Sequence, residues 1–234
     1  MAATGHTLKA FDDDLNRLRA SIAEMGGLAE AAIASAMQAL ADRDSEGARL
    51  VVEGDKRLDV METEIEALAI RIIALRAPMA DDLREVVAAL KIVGVVERIG
   101  DYAKNIAKRV PAIEDSRNLQ PLSLLPEMGR IVAEMVRSAL NAFVARDSVK
   151  AAQVCERDRA VDDFYNSIFR TLLTFMMESP GSITPATHLL FVAKNLERIG
   201  DHATNIAEMV YFAATGSHLG EREKGADTTR PAER

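Results

Sequence analysis

The sequence predicts an all-α protein made of two tandem three-helix bundles, with six long helices related by internal pseudo-symmetry. Apolar residues recur every three or four positions over most of the chain, and the second half of the chain repeats the first. The composition agrees, because 48% of the 234 residues are hydrophobic and strong helix formers are abundant beside only seven prolines.

Three helices are expected in the first half, and a local signal marks each boundary. The first runs over about 7–42, after which Asp44 can cap the start of a new helix with its side-chain oxygen. The second then continues over about 45–75. Pro78 interrupts the pattern because proline is poorly tolerated inside a helix, so the third is expected over about 79–110.

The second half is expected to repeat this plan after a proline-containing connection. Its helices end near residues 145, 178 and 213, and the residues beyond are too poor in apolar groups to offset the entropy of ordering. The expected organisation is a first bundle over 1–110, a linker over 111–126, a second bundle over 127–214 or from near 122, and a disordered tail over 215–234.

An eleven-residue segment is the clearest sign of duplication. Residues 97–107 read ERIGDYAKNIA and residues 197–207 read ERIGDHATNIA, which is nine identities in eleven positions at an offset of 100. The turn at 43–45 matches the turn at 146–148 at an offset of 103, so the second half lacks three residues between its second and third helices. A duplicated unit of about one hundred residues with short turns is most simply an up-down-up bundle.

Charge and cysteine content exclude several classes of protein. The formal net charge is −7, whereas a groove for nucleic acid needs clustered positive charge. The single cysteine, Cys155, excludes an internal disulfide or a thiolate metal cage and is typical of a reducing compartment. Neither a signal-peptide pattern nor a run of about eighteen uncharged apolar residues is found, so we expect a cytoplasmic protein without a membrane span.

Acidic residues recur in pairs, four residues apart, on consecutive helices of each half. Like charges at this spacing destabilise an isolated helix by about 0.2–0.5 kcal/mol, so a positive charge is expected nearby. Carboxylates that converge from two helices suit hard divalent cations or iron. The predicted metal ligands are Asp55, Asp59, Glu97, Asp101, Asp158, Asp162, Glu197 and Asp201, with Asn105, Asn205 and His202 as accessory candidates.

Two glycines fall inside predicted helices at matched positions of the repeat. Gly100 and Gly200 each cost about 1 kcal/mol relative to alanine in a helix interior. Both are therefore expected to permit the close approach of a neighbouring helix or of the ion site.

Three alternatives to a metal-binding regulator stay open. The acidic faces could be solvated surfaces paired with arginines such as Arg57, Arg98, Arg159 and Arg198. A carboxylate-bridged metalloenzyme is the competing class, since helical bundles host di-iron sites, but no histidine here follows a glutamate by three residues. The third alternative is a purely structural dimer or an amphipathic membrane-surface protein, but contact with anionic lipid would require a basic helix face, whereas the charges here are mixed.

Several segments together resemble the PhoU family. They are the two ERIGDxAxNIA copies, FDDDL at 11–15, PMADDLR at 78–84 and FVAKN at 191–195. The resemblance spans roughly residues 7–213 and implies two three-helix bundles whose acidic motifs bind metal. The eight acidic residues named above match the family's motifs one by one, and the implied cofactors are divalent or trivalent ions, with Mg, Mn, Fe or Zn as candidates.

The resemblance also implies a function. The family's role is that of a cytoplasmic negative regulator of phosphate uptake and of the phosphate-starvation response, acting without chemistry on a substrate. The implied partners are the ATPase subunit of the phosphate ABC transporter and a phosphate-sensing histidine kinase. A homodimer is expected, nucleic acid is not, and contact with the membrane is expected only through these partners.

Overall fold

A computed structural model describes residues 3–114, 116 and 119–220, and within these residues the chain contains helices and connections but no strand. Of the predicted disordered tail, residues 221–234 lie outside the described residues. None of the helices in the described part is both long and apolar enough to cross a bilayer. The α-helices are α1 Ala3–Asp42, α2 Ser45–Gly54, α3 Lys56–Arg76, α4 Ala80–Ala107, α5 Leu125–Ala145, α6 Ser148–Glu156, α7 Asp158–Glu178 and α8 Ile183–Thr215.

The plan of six long helices is confirmed, with one difference that occurs twice. The second helix of each half is interrupted, at Asp55 between α2 and α3 and at Arg157 between α6 and α7. At the first interruption the backbone tightens, and the Leu58 amide donates to the Asp55 carbonyl three residues earlier at 2.8 Å. Apolar periodicity did not predict these breaks because a single tight turn hardly disturbs the three-to-four spacing. Each break lies at or next to the first acid of a predicted metal motif.

The predicted caps are present in both halves. Asp44 accepts a hydrogen bond from the Glu46 amide at 3.0 Å, and Asp147 accepts one from the Lys150 amide at 2.9 Å. Both aspartates have extended backbone, as a residue preceding a helix requires. The matching caps give α2 and α6 the same start in the two bundles.

The two bundles pack against each other through their first and third helices. Helix α4 packs on α8 and α1 packs on α5, so these four helices form the centre of the molecule. The interrupted helices lie on the outside, α2 and α3 against α1 and α4, and α6 and α7 against α5 and α8. One continuous apolar core therefore includes residues of both halves.

The connection between the bundles is more closely packed than its composition indicated. Two short 3₁₀ turns, Val110–Ile113 and Gln120–Leu124, lead into α5. Ile113 and Leu119 are buried, so the few apolar residues of this segment join the core. Its prolines and polar residues still keep it from forming a regular helix.

A pair of glycines lets α1 and α5 approach closely. A β-carbon added to Gly26 would lie 2.2 Å from Leu140 Cδ1, and one added to Gly129 would lie 2.7 Å from Met37 Cγ. Gly26 and Gly129 are matched positions at an offset of 103, and so are Met37 and Leu140. The two contacts are therefore reciprocal, as a pseudo-twofold relation between the bundles requires.

The neighbouring Gly27 provides a matched test of this packing. Gly27→Ala is expected to stabilise the protein by about 1 kcal/mol, because an added methyl meets no atom within 4 Å and alanine favours a helix. Gly26→Ala is expected to destabilise it by about 1 kcal/mol, since overpacking of the buried Leu140 costs more than the helix gains. Urea denaturation measures both changes. A stabilising Gly26→Ala would contradict the close approach of α1 and α5.

Candidate functional site

The acidic motif of the first bundle surrounds a lysine. Asp55, whose side chain is 7% exposed, lies at the break between α2 and α3, and Asp101 is half-buried on α4. Lys104 Nζ donates a hydrogen bond to Asp55 Oδ2 and another to Asp101 Oδ1. Burial alone would lower the pKa of Lys104, but the hydrogen bonds to Asp101 and Asp55 raise it above its ordinary value. The ammonium therefore stays charged and links two of the predicted metal ligands.

The prediction that Gly100 and Gly200 permit the close approach of a neighbouring helix is confirmed. A β-carbon on Gly100 would lie 2.2 Å from Leu58 Cδ1 and 3.5 Å from Asp55 Oδ1. A β-carbon on Gly200 would lie 3.2 Å from Val161 Cγ1. In each bundle the glycine thus lets the outer helix approach the central one beside the acidic motif.

A crowded set of carboxylates lies beside Lys104. Burial, followed by the negative charges of Asp101, Glu62, Asp59 and Asp55, raises the pKa of Glu97 to about 7. Glu62 has a raised pKa as well, first because of burial and then because of the neighbouring Glu66 and Asp59. The predicted ligands did not include Glu62, although it lies seven residues after Asp55 and so on the same face of the helix. The first bundle thus brings five acidic side chains within electrostatic reach of one another.

The second bundle places its acids similarly but satisfies them with different groups. Asp158 is 5% exposed, and its Oδ1 accepts a hydrogen bond from Thr204 Oγ1 at 3.2 Å. The Glu197 side chain is 14% exposed, and its Oε1 accepts one from Lys194 Nζ at 2.8 Å. The same ammonium lies 5.1 Å from the centre of the Tyr165 ring.

Comparison with known proteins settles the family. The family model for the PhoU domain matches the chain twice, over residues 22–110 and 125–210. The chain belongs to the PhoU family. A phosphate-specific transport system accessory protein PhoU homolog of Zymomonas mobilis is 58% identical over 95% of this chain and 94% of that protein. The homolog of Caulobacter vibrioides is 49% identical over 92% of this chain and 94% of its own length.

Solved PhoU structures share the fold. The crystal structure of PhoU from Pseudomonas aeruginosa is similar with a TM-score of 0.85 at 38% identity, covering 88% of this chain and all of that one. The phosphate transport system regulatory protein PhoU from Streptococcus pneumoniae gives a TM-score of 0.84 at 28% identity, covering 90% of this chain and all of that one. Two duplicated bundles are therefore the shared PhoU architecture.

The remaining predicted ligands of this PhoU protein differ in exposure and surroundings. Asp59 is exposed, whereas Asp162 and Asp201 are half-buried. Of the accessory candidates, Asn105 is half-buried. Asn205 lines a cavity of about 400 Å³ formed by residues of α4, α8 and the segment after α8. The cavity is also lined by Arg84, Lys91, Glu208, Phe212 and His218.

His202 lies at the interface between the two bundles. Its ring stacks on that of Tyr102, the residue at the matched position of the first repeat, with ring centres 5.4 Å apart. Burial and then the positive charge of Arg98 lower the pKa of His202, while Asp201 opposes the shift. Arg198, matched to Arg98, lies 5.8 Å from the centre of the Tyr102 ring. The repeated motif thus meets its own copy here, and the imidazole is favoured in its neutral form.

In the first bundle, the cation that contacts two of the predicted ligands is a lysine and not one of the arginines named above. Arg57 lies 3.8 Å from Glu24, and Arg198 lies over Tyr102. In the first bundle, Lys104 provides the cation that contacts the predicted ligands Asp55 and Asp101. The sequence signal for Lys104 was available, because a lysine three residues after Asp101 lies on the same helix face.

The types of the predicted ligands favour a bound metal ion, whereas the positions of their side chains do not. All eight predicted ligands are carboxylates, which hard cations prefer. Among the described residues, however, no three His, Cys, Asp or Glu side chains are placed so as to hold a metal ion together. Binding an ion would therefore require side-chain rearrangement, including displacement of Lys104 in the first bundle and of Lys194 from Glu197 in the second. The chemistry suits the second bundle, where largely buried Asp158 and Glu197 come from neighbouring helices.

Proposed function

We propose that this chain is a negative regulator of phosphate uptake and of the phosphate-starvation response, acting in the cytoplasm. The observation that supports the proposal is the likeness, over 95% of the chain, to a protein named as an accessory protein of the phosphate-specific transport system. Both repeats take part in that likeness, because the PhoU domain match covers 22–110 and 125–210. The role is that of a scaffold, not of an enzyme.

The proposed scaffold connects the ATPase subunit of the phosphate ABC transporter to a phosphate-sensing histidine kinase. Duplication supports this role, because two bundles of one design present two related surfaces that can diverge for different partners. A homodimer remains part of the proposal.

Metal binding is proposed for the second bundle. Asp158 and Asp162 on α7 and Glu197 and Asp201 on α8 would hold the ion, with Mg, Mn, Fe or Zn as candidates. Two members of this set, Asp158 and Glu197, are largely buried on neighbouring helices and carry the oxygen ligands that hard cations prefer, which supports the proposal. When bound, the ion supplies positive charge that ties α7 to α8.

A bridging experiment tests the scaffold. The purified transporter ATPase subunit is immobilised, and the cytoplasmic part of the kinase is added with or without this chain. Retention of the kinase is expected only when the chain is present, because the chain contacts both proteins. Equal retention without the chain, or a chain that binds neither protein, would overturn the scaffold role. Retention of the chain but not of the kinase would restrict its role to the transporter.

A further inference from the structure

We propose that the cavity between α4 and α8 binds a nucleoside phosphate. The cavity has a volume of about 400 Å³ and lies where the N-terminal part of α4 meets the C-terminal part of α8 and the segment that follows it. Small-molecule sites in proteins measure roughly 300–1,000 Å³, so a nucleotide fits, whereas inorganic phosphate alone would leave most of the space unfilled. The eight predicted metal ligands, all within the described residues, are not among those that line this cavity.

Helix α4 supplies two positive charges to the wall of the cavity. Arg84 and Lys91 are two helical turns apart and therefore lie on the same face of the helix. Arg84 is held in place, because it donates to Asp81 at 2.7 Å and to the Ala213 carbonyl at 3.4 Å. A guanidinium has five N–H donors, so these two contacts leave donors for a ligand. A guanidinium and an ammonium on one wall are suited to bind a phosphate group.

The end of α8 and the segment after it add aromatic rings. Gly216 follows the helix with a φ of 74°, a left-handed conformation that suits glycine and turns the chain. After this turn, the His218 ring stacks on the Phe212 ring, with centres 4.7 Å apart and planes at 17°. A β-carbon on Gly216 would lie 3.4 Å from Arg84 Cζ, so the glycine also leaves room for the guanidinium. Aromatic side chains in a cavity wall provide a surface on which a base can stack, because every base has a π-face.

Two further polar side chains in the cavity are suited to a sugar. Asn205 and Glu208 are three residues apart on α8 and line the same cavity. A carboxylate accepts hydrogen bonds from ribose hydroxyls in nucleotide-binding proteins, and an amide both donates and accepts. Because Glu208 repels phosphate, the phosphate is expected to lie toward the cations of α4. The cavity thus offers cations for the phosphate, rings for the base, and a carboxylate with an amide for the ribose.

The matched place in the duplicated fold is occupied by a different contact. Phe191 stands at the position of α8 that corresponds to Lys91 of α4. Arg109 corresponds to Met209, and its guanidinium lies 4.7 Å from the centre of the Phe191 ring. Two long side chains therefore pack together there. The cation-lined cavity belongs to one copy of the repeat and is not a consequence of the shared bundle design.

The test is isothermal titration calorimetry of the full chain with ATP and with GTP, in buffer freed of metal ions by a chelating resin. At least one of the two is expected to bind once per chain. The corresponding nucleoside and inorganic phosphate should each bind at least about tenfold more weakly, because each makes only part of the contacts. Lys91→Gln removes a charge and His218→Ala removes a ring, both at exposed positions where folding is not disturbed. Each variant is expected to weaken nucleotide binding by about tenfold.

Lys108→Gln is the matched control. Lys108 is exposed, directly follows α4 and corresponds in the repeat to Glu208, so its substitution should leave the affinity unchanged. The nucleotide site would be overturned if neither nucleotide binds at millimolar concentration, or if inorganic phosphate binds as tightly as the nucleotide. Unchanged affinity in either Lys91→Gln or His218→Ala would overturn it as well. So would an equal loss in Lys108→Gln, because a general attraction of anions to surface lysines would then explain the binding.

Discussion

Replacing Arg19 by methionine is expected to lower the free energy of unfolding by about 3 kcal/mol, because the partner of Arg19 is a buried carboxylate. Arg19 Nε lies 2.5 Å from Glu85 Oε1, and a second guanidinium nitrogen lies 2.9 Å from Glu85 Oε2. The Glu85 side chain is 3% exposed. Arg146 remains at 3.4 Å from Glu85 Oε2, at a longer distance and with a more exposed side chain. Most of the lost stability reflects a negative charge left in the core.

A double-mutant cycle separates that cost from general loss of packing. Glu85→Met added to Arg19→Met is expected to recover much of the lost stability, since replacing both members by apolar groups removes the unpaired charge. Arg49→Met is the control for an exposed pair. Arg49 contacts Glu46 and Glu53, all three side chains are more than half exposed, and a much smaller loss than for Arg19→Met is expected. Equal losses for Arg19→Met and Arg49→Met would contradict the assigned burial of Glu85.

The Glu85 contacts also join the two bundles. Arg19 belongs to α1, Glu85 to α4, and Arg146 follows the last residue of α5 with left-handed backbone. One buried carboxylate therefore contacts both halves of the chain. Because Arg19 and Glu85 are 66 residues apart, nothing in the sequence linked them. Their pairing depends on the way in which α1 and α4 pack.

Helix content, turn positions and the duplication could be predicted because they depend on local patterns. Asp44 and Asp147 cap the helices that follow them, as expected. The interruption at Asp55 could not be predicted, since a single tight turn leaves the apolar spacing unbroken. The packing of α4 against α8 could not be predicted either, because apolar periodicity identifies the buried face of a helix but not the helix that packs against it.

In the candidate site, too, the features that depend on local sequence spacing could be predicted, and those that depend on tertiary packing could not. The acidic residues were identifiable from their spacing, and their assignment as metal ligands stays a prediction. The contact of Lys104 with Asp101 follows from helix geometry, whereas its contact with Asp55 joins residues 49 positions apart. The stacking of Tyr102 on His202 required knowing that the repeats meet. Residue type and spacing thus indicated the chemistry of the site, and tertiary packing determined which groups satisfy it.

Removing this chain from its host is expected to switch on the phosphate-starvation response under phosphate-rich conditions. In the proposed scaffold, the chain relays the state of the transporter to the kinase, so its loss leaves the kinase without the restraining signal. A starvation-responsive reporter gene should then reach the level seen in phosphate-starved cells, and phosphate uptake should rise with it. Supplying the wild-type chain or the Gly27→Ala variant should restore repression.

The reporter assay in phosphate-rich medium, with and without the chain, tests the regulatory role most directly. Strong expression is expected in cells that lack the chain, followed by repression once the chain is supplied again. Expression that stays repressed in its absence, with unchanged phosphate uptake, would contradict a negative regulator.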